Sequence, residues 1–191
     1  MSINQRILGL QMENDALILK PNQLDQSEEF INLVTSPHYR NRSPLARESR
    51  EEALLAYETL IKNHELKQLE FWAVWDKEKN KYAGFVGHIP TSVENQLEEM
   101  LFAGFHLKYW RTQFPLESMR LAVECAFKKN NITKMIGIIH PEDNATLQCA
   151  IQIPSKFEKE VEVLGGSAFL YSVKKEDFLN TKPNHKNKEH H

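Results

Sequence analysis

His106 closes an apolar stretch, Leu101–Leu107, that also carries Phe102 and Gly104. In an extended strand these three residues share one face. An imidazole there suits a general base, because histidine exchanges a proton near neutral pH. The plainer alternative is a surface or hydrogen-bonded histidine. Glu98 and Glu99 stand just ahead of the same stretch. A second kind of chemistry is open to Trp110-Arg111-Thr112-Gln113-Phe114-Pro115, which runs into a segment of helical apolar spacing. Proline suits the first helical turn. A loop feeding a helix N-terminus offers backbone N–H groups and a positive dipole end to an anion. Arg111 adds a guanidinium, which matches phosphate geometry.

Other residues are less specific. His140-Pro141 ends an apolar strand and reads more readily as a strand-ending turn than as a site residue. Asn144 and Thr146 open a further helix, where both are also good caps. Cys149 lies on that helix and suits packing better than chemistry. Tyr171 sits on a late strand in a structural setting. His38, Arg40, Arg42 and Arg47 fall in a basic stretch, 37–47, that reads as a loop open to an acidic substrate or simply to solvent.

These candidates need elements to hold them. Ala16–Leu19 reads as a short strand stopped by Pro21. Asp25-Gln26-Ser27-Glu28 caps a helix carrying Phe30, Ile31, Leu33 and Val34. Ser49, followed by Glu51 and Glu52, opens a second helix. Leu69–Trp75 and Tyr82–Ile89 alternate as two strands around the charged turn Asp76–Asn80. Residues 90–99 are polar and acidic and read as a loop. The 101–107 strand, the helix opened by Pro115, the strand Met135–Ile139 and a helix over Asn144–Ile153 follow. Phe157–Val163 and Ala168–Val173 form a hairpin around Gly165-Gly166. The order β-α-α-β-β-β-α-β-α-β-β predicts an α/β protein with a mixed sheet and helices on both faces. Residues 1–15 read as a lead-in, 16–179 as a single domain, and 180–191 as a disordered tail whose closing histidines resemble a purification-tag remnant.

The chain has 191 residues, 41% hydrophobic and 26% charged, which argues against disordered, collagen-like or coiled-coil classes. Its 24 Lys and Arg against 26 Asp and Glu give a net charge of −2. That lacks the basic balance of a nucleic-acid binder. No apolar run is long enough to span a bilayer, and no signal peptide is expected. Two cysteines, Cys125 and Cys149, are too few for a disulfide framework or a zinc cluster and fit a reducing cytoplasm.

Taken together, the stretch LFAGFHL, Tyr109-Trp110, the loop and helix with Glu117, His140-Pro141 and Asn144 resemble the GNAT N-acetyltransferase superfamily. The likeness is greatest to its ribosomal-protein N-terminal acetyltransferase branch. Leu17-Ile18-Leu19-Lys20-Pro21, Phe71-Trp72-Ala73-Val74, Gly84-Phe85-Val86-Gly87 and the closing AFLYSVKKEDF extend it over most of the chain. The resemblance implies a splayed mixed sheet and acetyl-CoA as cosubstrate. It implies a primary amine as acceptor, on a small molecule or a protein N-terminus, attacking the thioester directly. A homodimer is left open. The pyrophosphate would lie at Arg111, Thr112, Gln113 and Phe114. The pantetheine arm would run along the backbone near Phe105 and Leu107, with Asn144 and Thr146 beside it. His106 or Glu99 would supply the base, His106 by projecting toward the splayed cleft.

The sequence also departs from the family pattern. Gln113 stands where the phosphate loop usually has a glycine that lets backbone approach closely. Pro115 removes an N–H donor. Phe102 occupies the place of a glutamate common in the branch, Lys156-Phe157 replaces a Gly-Phe pair, and the last helix has no tyrosine. These departures motivate an alternative: a GNAT-fold binding or regulatory protein without acyl transfer.

Overall fold

The computed structural model describes residues 11–40, 45–128, 132–163 and 166–181. Its strands are β1 (Met12–Glu13), β2 (Leu17–Pro21), β3 (Glu70–Asp76), β4 (Lys81–Val93), β5 (Gln96–Phe105), β6 (Lys134–Ile139), β7 (Lys156–Val163) and β8 (Gly166–Lys174). The helices are α1 (Ser27–Val34), α2 (Pro37–Arg40), α3 (Arg50–Glu65), α4 (Phe114–Lys128), α5 (Asn144–Gln152) and α6 (Lys175–Asn180). The strands form one sheet in the order β1-β2-β3-β4-β5-β6-β8-β7. Every neighbouring pair is antiparallel except β5 and β6.

Two apolar layers sandwich the sheet. On one face α4 and α5 bury Met119, Val123, Phe127 and Cys149 against Trp72, Val86, Phe105 and Met135. On the other, α1 and α3 bury Phe30, Val34 and Tyr57 against Phe71, Phe85 and Phe102. Alternation along β5 sends Phe102 to one layer and Phe105 to the other. α3 begins as its sequence dictates, whereas α1 starts at Ser27 without the side-chain cap expected from Asp25–Glu28. Ser49 accepts the Glu52 N–H through its hydroxyl at 3.1 Å, with Glu51 and Glu52 in the positive first turn of α3. In α4 the buried Leu116, Met119, Val123, Ala126 and Phe127 make one stripe.

Two expectations need correction. Residues 90–99 are not a loop: β4 runs on to Val93 and β5 starts at Gln96. Only Glu94 and Asn95 turn, both with positive φ (48° and 67°), the geometry of a tight two-residue hairpin. This arm hid in the sequence because its strands are half exposed and lack an apolar beat. Its tip reaches across the sheet, where Glu94 pairs with Lys159 of β7. Within 37–47, Pro37–Arg40 is helical, and residues 41–44 lie outside the described residues. In the lead-in, Met12 and Glu13 add an edge strand to β2. The expected turn around Gly165-Gly166 lies partly outside the described residues, and β8 already includes Gly166. The tail beyond Thr181 lies outside them as well.

Candidate active site

Among the described residues, the only Cα pairing between β5 and β6 is Met100 with Ile136. Beyond it the two strands separate, although the sheet is continuous on either side. Next to this point, on the face shared by Glu98 and Lys134, Lys134 Nζ donates to Glu98 Oε1 at 2.7 Å and lies 3.4 Å from Glu158 Oε1. The pair pins the strands at the closed end of the split.

The register shows what backbone the split exposes. The His106 N–H donates to the Ala83 carbonyl at 3.0 Å, beside the Gly84–Phe105 pair. In an antiparallel ladder such a residue pair turns its own N–H and C=O away from the partner strand. Phe105 and, two residues earlier, Ala103 therefore direct backbone polar groups away from β4, into the split. The Ala103 carbonyl accepts a hydrogen bond from the Tyr39 hydroxyl at 3.2 Å.

The split is the core of a cleft of about 420 Å³. Its walls come from both layers. Met119, Val123, Met135 and Ile153 belong to the α4 side, whereas Phe102 and Tyr39 belong to the α1 and α3 side. The cleft is thus lined from both faces of the sheet. On the α4 side it is lined by Leu107 and Arg111 from the turn before α4, and by Asn144 and Thr146 from the start of α5. Asp143 caps α5: its Oδ1 accepts the Thr146 N–H at 3.2 Å and its Oδ2 accepts the Thr146 hydroxyl at 2.7 Å.

The turn before α4 is shaped by aromatic packing. Leu107–Tyr109 forms a single 3₁₀ turn. The Phe114 ring folds onto Tyr109 at 4.9 Å between centroids, and Trp110 stands edge-on to Phe105 at 5.4 Å. Gln113 and Thr112 are exposed. Neither Gln113 nor Phe114 lines the cleft. The Phe114 N–H is held by Thr112 Oγ1 at 3.2 Å. Among the described residues, no hydrogen bond within the chain occupies the N–H of Gln113 or Leu116. Tyr109, deep behind this turn, donates its hydroxyl to Asp76 Oδ2 at 3.1 Å. Burial and that bond push the Tyr109 hydroxyl up to about 12. Burial alone would raise the Asp76 carboxyl. Hydrogen bonds from Lys79 and Tyr109, with the Lys79 charge, outweigh it and hold the group below its ordinary range.

The sequence candidates divide. Leu107, Arg111, Asn144 and Thr146 meet at the cleft. Phe105 reaches it through its backbone, while Thr112, Gln113 and Phe114 form the adjoining turn. His106 does not project toward the cleft as expected. β5 ends at Phe105, and His106 starts the 3₁₀ turn with its side chain in a separate depression with Glu29, Tyr82 and Lys108. There its Nε2 lies 3.4 Å from Glu29 Oε2. Glu99 is also away from the cleft walls, its Oε1 taking the hydrogen bond of the buried His88 Nδ1. Cys149 is buried among the α4–α5 layer, and burial followed by the Asp143 charge pushes its thiol up to about 11. Tyr171 lines the cleft from β8. Two lining residues lay inside the stretch read as a loop, His38 and Tyr39. The signal for them was Ser36-Pro37, a cap followed by proline at the first helical position.

A sheet opened between parallel neighbours, with a helix N-terminus facing the gap, is an acyl-CoA N-acyltransferase architecture. Residues 16–153 match the acetyltransferase (GNAT) domain, and the chain belongs to this family. Among curated proteins, the uncharacterised protein YkkB of Bacillus subtilis is 23% identical over 106 residues, 56% of this chain and 62% of its own length. The match thus covers less than two thirds of that relative. Among solved structures, the ribosomal-protein-S5-alanine acetyltransferase of Vibrio fischeri superposes with a TM-score of 0.70 at 14% identity, covering 91% of this chain and all of that one. The ribosomal L7/L12 alpha-N-protein acetyltransferase RimL, in complex with coenzyme A, gives 0.73 at 11% identity, covering 86% and 98%. These likenesses bear on the fold. Among the described residues no helix is long and apolar enough to cross a membrane.

Proposed function

We propose that the chain is an acetyl-CoA-dependent N-acetyltransferase whose acceptor is a primary amine, on a small molecule or a protein N-terminus. The carrying observation is the split beyond Met100 and Ile136. It leaves strand backbone at Ala103 and Phe105 for an amide-bearing arm and opens onto a helix start that suits an anion. The residues fit the cosubstrate. Ala103 and Phe105 would pair with the pantetheine amides. Arg111 and the Gln113 and Leu116 N–H groups would hold the pyrophosphate, with Asn144 and Thr146 along the opposite wall. Bound there, acetyl-CoA supplies an activated acyl carbonyl. The protein's part is to orient it, keep water off it, and take a proton from the attacking amine.

One observation favours the second reading, a protein of this fold that binds without acyl transfer. Two donors at the start of α4 are lost, one to Thr112 Oγ1 and one to Pro115. Thermal melts and amine assays separate the two. Acetyl-CoA at millimolar concentration raises the melting temperature under either reading that retains the site. Release of coenzyme A thiol with a panel of amines occurs only under the first. Absence of any melting shift counts against both.

A further inference from the structure

We propose that His38 takes the proton from the acceptor amine, on the α2 side of the cleft. This rests on the N-acetyltransferase reading above. Because the cleft is lined from both faces of the sheet, a cosubstrate whose phosphates lie at the starts of α4 and α5 leaves the α2 side for the amine. The titratable side chains lining the cleft sort by face. Arg111, Glu142, Asp143 and Tyr171 are on the α4–α5 side, and His38 and Tyr39 on the other. Asp143 is engaged as the cap of α5. The Tyr39 hydroxyl is given to the Ala103 carbonyl. Glu98 shares the α2 face of β5, but it is paired with Lys134 and does not line the cleft. His38 is exposed, and no side-chain partner holds it among the described residues.

Its placement is firm because its neighbour is. Tyr39 is 5% exposed, its ring stands edge-on to Phe85 at 6.3 Å, and its hydroxyl reaches β5. Gly104 allows this approach: a Cβ there would lie 2.7 Å from the Tyr39 oxygen and 2.6 Å from Phe85. The backbone of α2 is therefore anchored one residue away from the imidazole. In the reaction the amine lone pair forms the C–N bond and the C–S bond breaks with its electron pair going to sulfur. The proton leaving nitrogen goes to the His38 ring, and from there to the thiolate or to water.

The test compares the wild-type chain with His38→Gln and His38→Ala. Probes are acetyl-CoA with benzylamine, and acetyl-CoA with a peptide bearing a free N-terminal alanine. The expected result is a fall in kcat of about 10²-fold or more, an unchanged dissociation constant for acetyl-CoA, and loss of the acidic limb of the pH–rate profile. Added imidazole should restore part of the activity of His38→Ala. Wild-type kcat and pH profile in both variants overturn the His38 assignment alone, as does weakened acetyl-CoA binding. Acetyl-CoA binding with no turnover of either amine by the wild-type chain overturns the transferase reading, and this assignment with it.

Discussion

The Tyr109 hydroxyl donates to Asp76 Oδ2 at 3.1 Å, tying the turn before α4 to the end of β3. Asp76 is 2% exposed; its Oδ1 accepts the Lys79 N–H at 3.1 Å, and its Oδ2 also accepts the Lys79 ammonium at 3.0 Å. Phe114, which starts α4, rests on the same tyrosine ring. A buried carboxylate at a hairpin end thereby sets the position of the turn before α4, some thirty residues away in sequence.

Removing either partner should loosen that turn. Tyr109→Phe is expected to cost about 1 kcal/mol, and Asp76→Leu, which leaves the Tyr109 hydroxyl buried without a partner, about 1–3 kcal/mol. Both should raise the KM for acetyl-CoA more than they lower kcat. The pH dependence has a definite sign. A carboxyl held below its unfolded value contributes stability above that value, near 3.9 for aspartate, and loses it as the pH falls through the folded value. The stability gap between wild type and Asp76→Leu should therefore be constant at neutral pH and shrink on acidification below about pH 4. Urea melts across pH 3–7 check this.

Arg111 is exposed on the turn yet lines the cleft. A guanidinium–phosphate hydrogen bond is worth about 1.5–3 kcal/mol. Arg111→Ala should weaken acetyl-CoA binding by about ten-fold or more, with a smaller effect at high salt. Calorimetric titration at two ionic strengths reads both. An unchanged dissociation constant would place the phosphates elsewhere.

Gly104 is close-packed from both sides, by Phe85 and Tyr39. Gly104→Ala cannot keep Tyr39 on the Ala103 carbonyl. The expected result is a lower melting temperature, by about 1–3 kcal/mol of overpacking, and a larger loss of turnover than of acetyl-CoA affinity. Tyr39→Phe should reproduce the turnover loss with a smaller stability cost.

Much of this was legible in sequence because it rests on local pattern. The Ser49 cap of α3, the alternation in β3 and β5 and the helix with Pro115 in its first turn follow from spacing and end signals. The 90–99 arm was missed because its strands are held by ladder bonds and a two-residue turn, without the apolar alternation that marks a half-buried strand. Arg111 was identifiable because a loop running into a helix start suits an anion, whereas Asn144 and Thr146 were reached only through the family resemblance. His106 misled because its face was projected along an ideal strand, whereas β5 stops one residue earlier. No spacing in the sequence links His88 to Glu99, or Tyr39 to Ala103. Those pairs exist only once the strands and α2 are stacked.

The buried partnership of Glu99 offers a last test. His88 is 4% exposed, its Nδ1 is hydrogen-bonded to Glu99, and its Nε2 has no partner among the described residues. Replacing Glu99 by Leu leaves both ring nitrogens buried and unmatched. That should cost about 1–3 kcal/mol, with a melting temperature lower by about 2–4 °C for each kcal/mol in a chain of this size. His88→Leu combined with Glu99→Leu removes both members, and an apolar pair of similar shape is nearly neutral. The double variant should therefore be more stable than Glu99→Leu alone. A Glu99→Leu protein that melts like the wild type, while losing turnover, would show that this carboxylate serves the reaction and not the fold.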